Sequence, residues 1–131
     1  MLDIRVIDSD SLLVGRPMGT LDAELAAKLV EFIEIKEAET ETGFNRFCDL
    51  TGVDRIQLRL VDVQAIAAWR SAYNPNLVRV KSAFLATNPL ALAIAGLYRA
   101  MLKSPRIQVR EFRSLEEAAK WLGVEPGKLA L

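Results

Sequence analysis

Few side chains in this sequence could do chemistry by their type and spacing. Asp49 and Asp54 bracket the segment Asp49-Leu50-Thr51-Gly52-Val53-Asp54, two carboxylates five positions apart with a hydroxyl between them. Such a pair suits a cation or a partner's basic group; equally, it hydrogen-bonds loop amides or caps a helix. A shared metal needs more oxygen ligands than the neighbourhood offers. The chain has no histidine and one cysteine, Cys48. Without His there is no Ser-His or Cys-His catalysis and no His-ligated zinc. A lone Cys excludes an intrachain disulfide and a thiolate cluster, and its mid-strand setting reads as a small core residue. The sequence contains neither a Gly-x-Ser-x-Gly elbow nor a glycine-rich phosphate loop. These features predict a non-enzymatic protein with no metal and no cofactor.

The elements that must position these residues alternate along the chain. Ile4–Ile7 and Ser11–Gly15 are β-type runs joined by Asp8-Ser9-Asp10, which predicts an antiparallel hairpin. Thr20 is placed as the N-cap of a first helix with Leu25, Ala26, Leu29, Phe32 and Ile33 on its apolar stripe. Glu31, Glu34, Lys36, Glu37, Glu39 and Glu41 fall on its other face, and Gly43 stops it. Phe44–Leu50 reads as a strand. Ile56, Leu58 and Leu60 make a short extended piece, and Val63, Ile66, Ala67 and Trp69 a second helix ended by Asn74-Pro75. Val78–Thr87 is apolar enough to be a strand covered on both faces. Asn88-Pro89 starts a third helix, Arg106–Phe112 is a final strand, and Ser114-Leu115-Glu116-Glu117 opens a last helix that Gly123 ends. The order ββαβαβαβα predicts an α/β domain spanning 1–131, with a short tail over 124–131. Its sheet of about five strands is mostly parallel, with about four helices packed against it.

Composition agrees with one ordered domain. The 131 residues are 51% hydrophobic and 26% charged. The N-terminus lacks a basic segment followed by an apolar one, so no signal peptide is expected. The longest near-apolar run, Leu90–Tyr98, is about half of the roughly 20 residues a membrane span needs. A cytoplasmic protein is the expectation. The 17 basic and 17 acidic residues cancel, which argues against nucleic-acid binding. The charge is nonetheless uneven: residues 1–65 hold 13 acids and 7 bases, and residues 66–131 hold 4 acids and 10 bases. Such a field either orients a partner or is neutralised within the molecule. Arg99, Lys103, Arg106, Arg110 and Arg113 form a basic run that reads as a solvated face or a docking site for an acidic partner. Trp69 and Trp121 read as packing residues on amphipathic helices.

The third helix is apolar nearly all round. Leu90, Ile94, Leu97 and Met101 are assigned to the sheet, which leaves over a flank of Ala91, Leu92, Ala95, Tyr98 and Leu102. That flank needs a second cover: the partner in a homodimer, an apolar lipid-like ligand, or neighbouring helices.

Four segments carry a family resemblance. They are Asn45-Arg46-Phe47-Cys48-Asp49-Leu50-Thr51, Val80-Lys81-Ser82-Ala83-Phe84, Asn88-Pro89-Leu90-Ala91 and Phe112–Gly123. With the element order, they resemble the STAS fold of the bacterial anti-anti-sigma factors, and in particular the SpoIIAA-like branch of that fold. The resemblance implies a switch in which a kinase anti-sigma factor phosphorylates a serine, within a strand ending in Asp-Leu-Ser and a following Asp-Ser-Ser-Gly-Leu. Here Asp49-Leu50-Thr51 matches the first piece. Asp54-Arg55-Ile56-Gln57-Leu58 falls on the second, with both serines replaced by Arg55 and Ile56. Isoleucine cannot accept phosphate, and Thr51 does not sit on the family's phosphorylation position, so the phospho-switch is expected to be absent.

In open α/β sheets ligands and partners meet the carboxyl ends of the strands. That rim collects Asp49, Thr51, Asp54, Arg55, Ile56, Thr87 and Asn88 as candidates for binding a protein partner. The expected function is a regulatory protein-interaction module. The alternative is a small-molecule or lipid-binding carrier that uses the apolar third helix.

Overall fold

A computed structural model gives the structure, and it describes residues 1–73 and 78–130. β1 (Leu2–Ile7) and β2 (Leu12–Pro17) form the antiparallel hairpin, in register from Leu2 opposite Pro17 to Ile7 opposite Leu12. Asp8–Asp10 makes one 3-10 turn, closed by Ser11 in the left-handed region at φ 47°. β4 (Asn45–Asp49), β6 (Val80–Leu85) and β7 (Ile107–Phe112) extend the sheet in parallel, giving the order β1-β2-β4-β6-β7. The crossovers are α1 (Ala23–Glu39), α2 (Leu60–Ala72) and α3 (Pro89–Met101), and α4 (Leu115–Leu122) follows the last strand. The α/β architecture, its mixed five-stranded sheet and its four helices are those expected from the sequence. The proposed end of the second helix at Asn74-Pro75 lies outside the described residues.

Two short strands are additional. β3 (Gly19–Asp22) and β5 (Val53–Gln57) pair in parallel as a separate two-stranded sheet. The extended piece expected near Ile56 is therefore paired, and Thr20 lies within β3 rather than at a helix start. The α1 cap is Asp22, whose Oδ1 accepts from the Leu25 amide at 2.8 Å. Three polar or turn-forming residues precede the helix, and propensity alone does not choose among them. The helix also ends earlier than Gly43. Thr40 terminates it, and Gly43 at φ +74° turns the chain into β4.

The sheet's period of two sorts its side chains onto two layers. Phe47, Ala83, Leu85 and Phe112 face α4 and the docked tail residue Leu129, which is fully buried. Arg5 donates to the Lys128 and Ala130 carbonyls at 2.8 and 3.1 Å and holds that tail on the hairpin. Arg46, Cys48, Ser82 and Phe84 face the other side, beneath α1, α2 and α3. There α1 packs on β2 and β3, and α3 packs on β7, while α2 rests chiefly on the two flanking helices.

The third helix is rotated from the expected orientation. Ala91 and Ala95 are its buried face, at 2% and 3% exposure, whereas Leu90 is 53% exposed. Tyr98 and Leu102 pack on Val80, Ile107 and Val109, and Leu92 packs beside Ala91. Of the flank Ala91, Leu92, Ala95, Tyr98 and Leu102, the two alanines are thus covered by the chain's own core, and the other three are half-buried against it. Small alanines let a helix approach the sheet closely, so side-chain size as well as apolarity sets which face turns inward.

Candidate functional site

Because α2 bridges its neighbours, a gap remains between it and the strands below. The gap is a cavity of about 110 Å³. Leu29 and Ile33 of α1, Val63 and Ile66 of α2, and Ile94 and Ala95 of α3 contribute its apolar walls and roof. Arg46 and Cys48 of β4, Ser82 and Phe84 of β6, and Ile107 of β7 form its floor. Arg70 and Tyr98 line it as well. An apolar cavity of ~150 Å³ takes up benzene and stays free of water, so this one is of the right order for a small aliphatic group. The Cys48 thiol is held protonated here. Burial, and secondarily the neighbouring Asp49 carboxylate, pushes its pKa up to about 12.

A charge cluster is buried beside the cavity. Glu37, 4% exposed, accepts through Oε2 from Arg46 at 3.2 Å, Arg70 at 3.1 Å and Arg106 at 3.1 Å. Its Oε1 accepts from Arg70 at 2.9 Å. Arg70 also reaches Glu34 at 2.9 Å. Burial by itself would raise the Glu37 pKa. The Arg70 hydrogen bond and the charges of Arg46 and Arg70 outweigh burial and hold the carboxyl below its ordinary value. Burial pulls Arg46 down to about 10 against the opposing pull of Glu37. For Arg70, the hydrogen bond and charge of Glu37 exceed the cost of burial and raise it. Burial also raises the Tyr98 phenol, with Arg70 and Arg46 acting the other way. Three guanidinium groups thus face two carboxylates. The Nε atoms of Arg46 and Arg106 are buried without a hydrogen-bond partner among the described residues.

The sequence pattern puts Glu37 on the helix face opposite the apolar stripe and Arg106 in a basic run that reads as a solvated face or an acidic partner's docking site, and it does not single out Arg70. All three are buried. A signal was present: Leu29, Ile33 and Glu37 are spaced by four, so Glu37 continues the apolar stripe. The rest of the basic run is exposed or paired; Arg99 meets Glu111 at 2.9 Å.

The rim residues share the carboxyl ends of β4 and β6, but they do not converge as one polar site. Asp49 is 5% exposed and committed internally. Its Oδ1 accepts from the Thr51 amide and hydroxyl at 2.9 and 2.6 Å, and its Oδ2 from Arg16 at 3.0 Å. That carboxylate staples a loop and is not free for a cation. Among the described residues there is no group of three or more His, Cys, Asp or Glu placed to hold a metal. Thr51, Asp54, Arg55 and Thr87 are exposed, whereas Ile56 is half-buried against the Leu21–Leu25 cluster. Asn88 caps α3, accepting from the Leu90 amide at 2.8 Å. Leu60 and Val61 at the start of α2, with Leu90 at the start of α3, expose apolar side chains at this same end, at 55%, 53% and 53%. Trp69 and Trp121 are half-buried, and Trp121 packs on Phe112 at a ring-centroid distance of 5.5 Å. No helix among the described residues is long and apolar enough to cross a membrane.

No family model matches the sequence, and no curated protein sequence matches it. Among solved structures, the chain is similar to an uncharacterised protein of the DUF3478 family from Shewanella loihica PV-4, described as having a SpoIIAA-like fold. The two share 16% identity with a TM-score of 0.60, over 93% of this chain and 92% of that one. The fold is therefore SpoIIAA-like, as the sequence motifs implied.

Proposed function

We propose that this protein is a non-enzymatic STAS-like module that binds a small apolar ligand inside the domain, between α2 and the sheet. The observation that carries this reading is the cavity of about 110 Å³ with aliphatic walls on three helices. Well-packed interiors contain few voids larger than a water molecule, and pockets for small ligands are typically concave, apolar and furnished with a few polar groups. The ligand-binding alternative drawn from the third helix thus moves inward, since Ala95 and Tyr98 line this cavity. A titration with 3-methylbutan-1-ol, followed by NMR, tests the reading. Shifts are expected at Ile66, Ile94 and Phe84, and they should vanish in Ala95→Leu, which fills the space. Undisturbed methyl signals throughout the titration would remove the cavity from the functional account.

A second reading, regulation through a protein partner on the rim, has its own support. Leu60, Val61 and Leu90 present exposed apolar surface beside exposed Asp54 and Arg55, the mixture that docking surfaces show. If a co-purifying protein binds Asp54→Lys and Leu60→Glu variants as tightly as the parent, this surface is not its site.

A further inference from the structure

Resting on the ligand-binding reading above, we infer that the cavity takes a small aliphatic monocarboxylate, its tail among Leu29, Ile66 and Ile94 and its carboxylate on Arg46. Three independent observations converge on this chemistry. Arg46 is 95% out of water, lines the cavity, and keeps a buried Nε–H with no acceptor among the described residues. A buried donor left unpaired costs more than one that is satisfied, and an anion seated against Arg46 would satisfy it once a small side-chain shift opens this enclosed Nε–H to the cavity. Second, the surrounding charge is unbalanced by one. Among the described residues, Arg46, Arg70 and Arg106 face only the carboxylates of Glu37 and Glu34, so one further negative charge neutralises the cluster. A monoanion fits that surplus, whereas a phosphate dianion overshoots it. Third, Ser82 is the register partner of Arg46 across the β4–β6 ladder, and both line the same cavity. Its hydroxyl supplies a second donor on the side where Arg46 sits.

Size limits the tail. At about 110 Å³ the space is smaller than the ~150 Å³ that admits benzene, so a branched chain of about four carbons is the natural occupant. Charge-assisted bonds from a guanidinium to a carboxylate are roughly twice as strong as neutral ones. The acid should therefore be preferred clearly over an uncharged compound of the same shape.

The test compares 3-methylbutanoate with 3-methylbutan-1-ol on the full chain at pH 7, by NMR titration. The acid is expected to bind at least tenfold more tightly. Arg46→Met, which removes the charge, should erase the difference in affinity between the acid and the alcohol. Should Arg46→Met fail to fold, Ser82→Ala is the milder variant, expected to narrow the preference for the acid over the alcohol severalfold. Equal affinity for acid and alcohol in the unmodified protein overturns the anion assignment while leaving the apolar cavity as a binding site. Binding of neither compound overturns both readings.

Discussion

The Glu37 carboxylate accepts from Arg106 at 3.1 Å, joining residues 69 positions apart with neither side chain in water. Glu37 belongs to the acidic half of the chain and Arg106 to the basic half. Glu34 and Arg70 repeat that pairing at 2.9 Å. Part of the charge asymmetry of the sequence is thus neutralised internally, in the layer between helices and sheet.

Removing Glu37 would strand the guanidinium groups of Arg46 and Arg106 and leave Arg70 with Glu34 alone. Breaking a buried pair by deleting one partner typically costs ~3–5 kcal/mol, because the remaining charge has no compensation. Glu37→Leu is expected to lose at least that much of a stability that for domains of this kind totals ~5–15 kcal/mol. Glu37→Gln keeps an acceptor and should fall between. Urea unfolding of the three proteins checks the order, and a Glu37→Leu midpoint equal to the parent's would refute the network's structural role.

The same carboxyl sets a pH dependence. Its pKa is lower folded than its ordinary value of 4.5, so the folded state binds this proton less readily than the unfolded one. The stabilisation is present above pH 4.5 and is lost as pH falls through the lower, folded value. The melting temperature should fall as pH drops below 4.5, and the drop should be shallower in Glu37→Gln. Identical melting curves for the two proteins between pH 3 and 6 would assign the acid sensitivity to other groups.

How much of this was legible follows from the range of each interaction. The hairpin, the four helices and the parallel strands announce themselves through local patterns: the turn at Asp8-Ser9-Asp10, the Asn88-Pro89 start and the Ser114 capping box all sit within a few residues of what they control. The β3–β5 pair does not. Each strand is four or five residues long, and its partner lies about 35 positions away. The buried cluster is harder still, since Glu37, Arg70 and Arg106 come from separate elements and each alone looks like a solvated charge. α3 turns inward a different face from the one its leucines predict, because Leu outweighs Ala on a hydrophobicity count whereas close packing on the sheet favours Ala91 and Ala95.

Two glycines in the same backbone region should respond differently to substitution. Gly43 and Gly123 both lie at φ +74°, where an L side chain is strained by ~1–2 kcal/mol. A Cβ at Gly43 would also come 2.7 Å from Cγ1 of Val78, while one at Gly123 meets nothing within 4 Å. Gly123→Ala should cost only the backbone strain, and Gly43→Ala clearly more. Thermal denaturation of both variants decides this, and equal losses would mean that Val78 yields freely.

Cys48 should be chemically silent in the folded state. It is 7% exposed, and burial pushes its thiol to about 12, far above the range of reactive thiolates. Iodoacetamide at pH 8 is expected to leave the native protein unmodified and to label it fully in urea. Rapid labelling of the native protein, read by mass spectrometry, would show that the cavity floor opens.

Asp49 and Asp54 looked equivalent in sequence and are opposite in structure. Asp49 satisfies the Thr51 amide and hydroxyl and pairs with Arg16, while Asp54 is exposed on β5. Asp49→Ala leaves those donors unpaired beside a part-buried arginine and should cost ~1–3 kcal/mol. Asp54→Ala removes an exposed charge and should stay within ~0.5 kcal/mol of the parent. Added magnesium or calcium should not raise the melting temperature, because both Asp49 oxygens are already committed, Oδ1 to Thr51 and Oδ2 to Arg16. A cation-dependent rise that disappears in Asp49→Ala would reverse the assignment, making the carboxylate a ligand and its bonds to Thr51 and Arg16 the arrangement of an empty site.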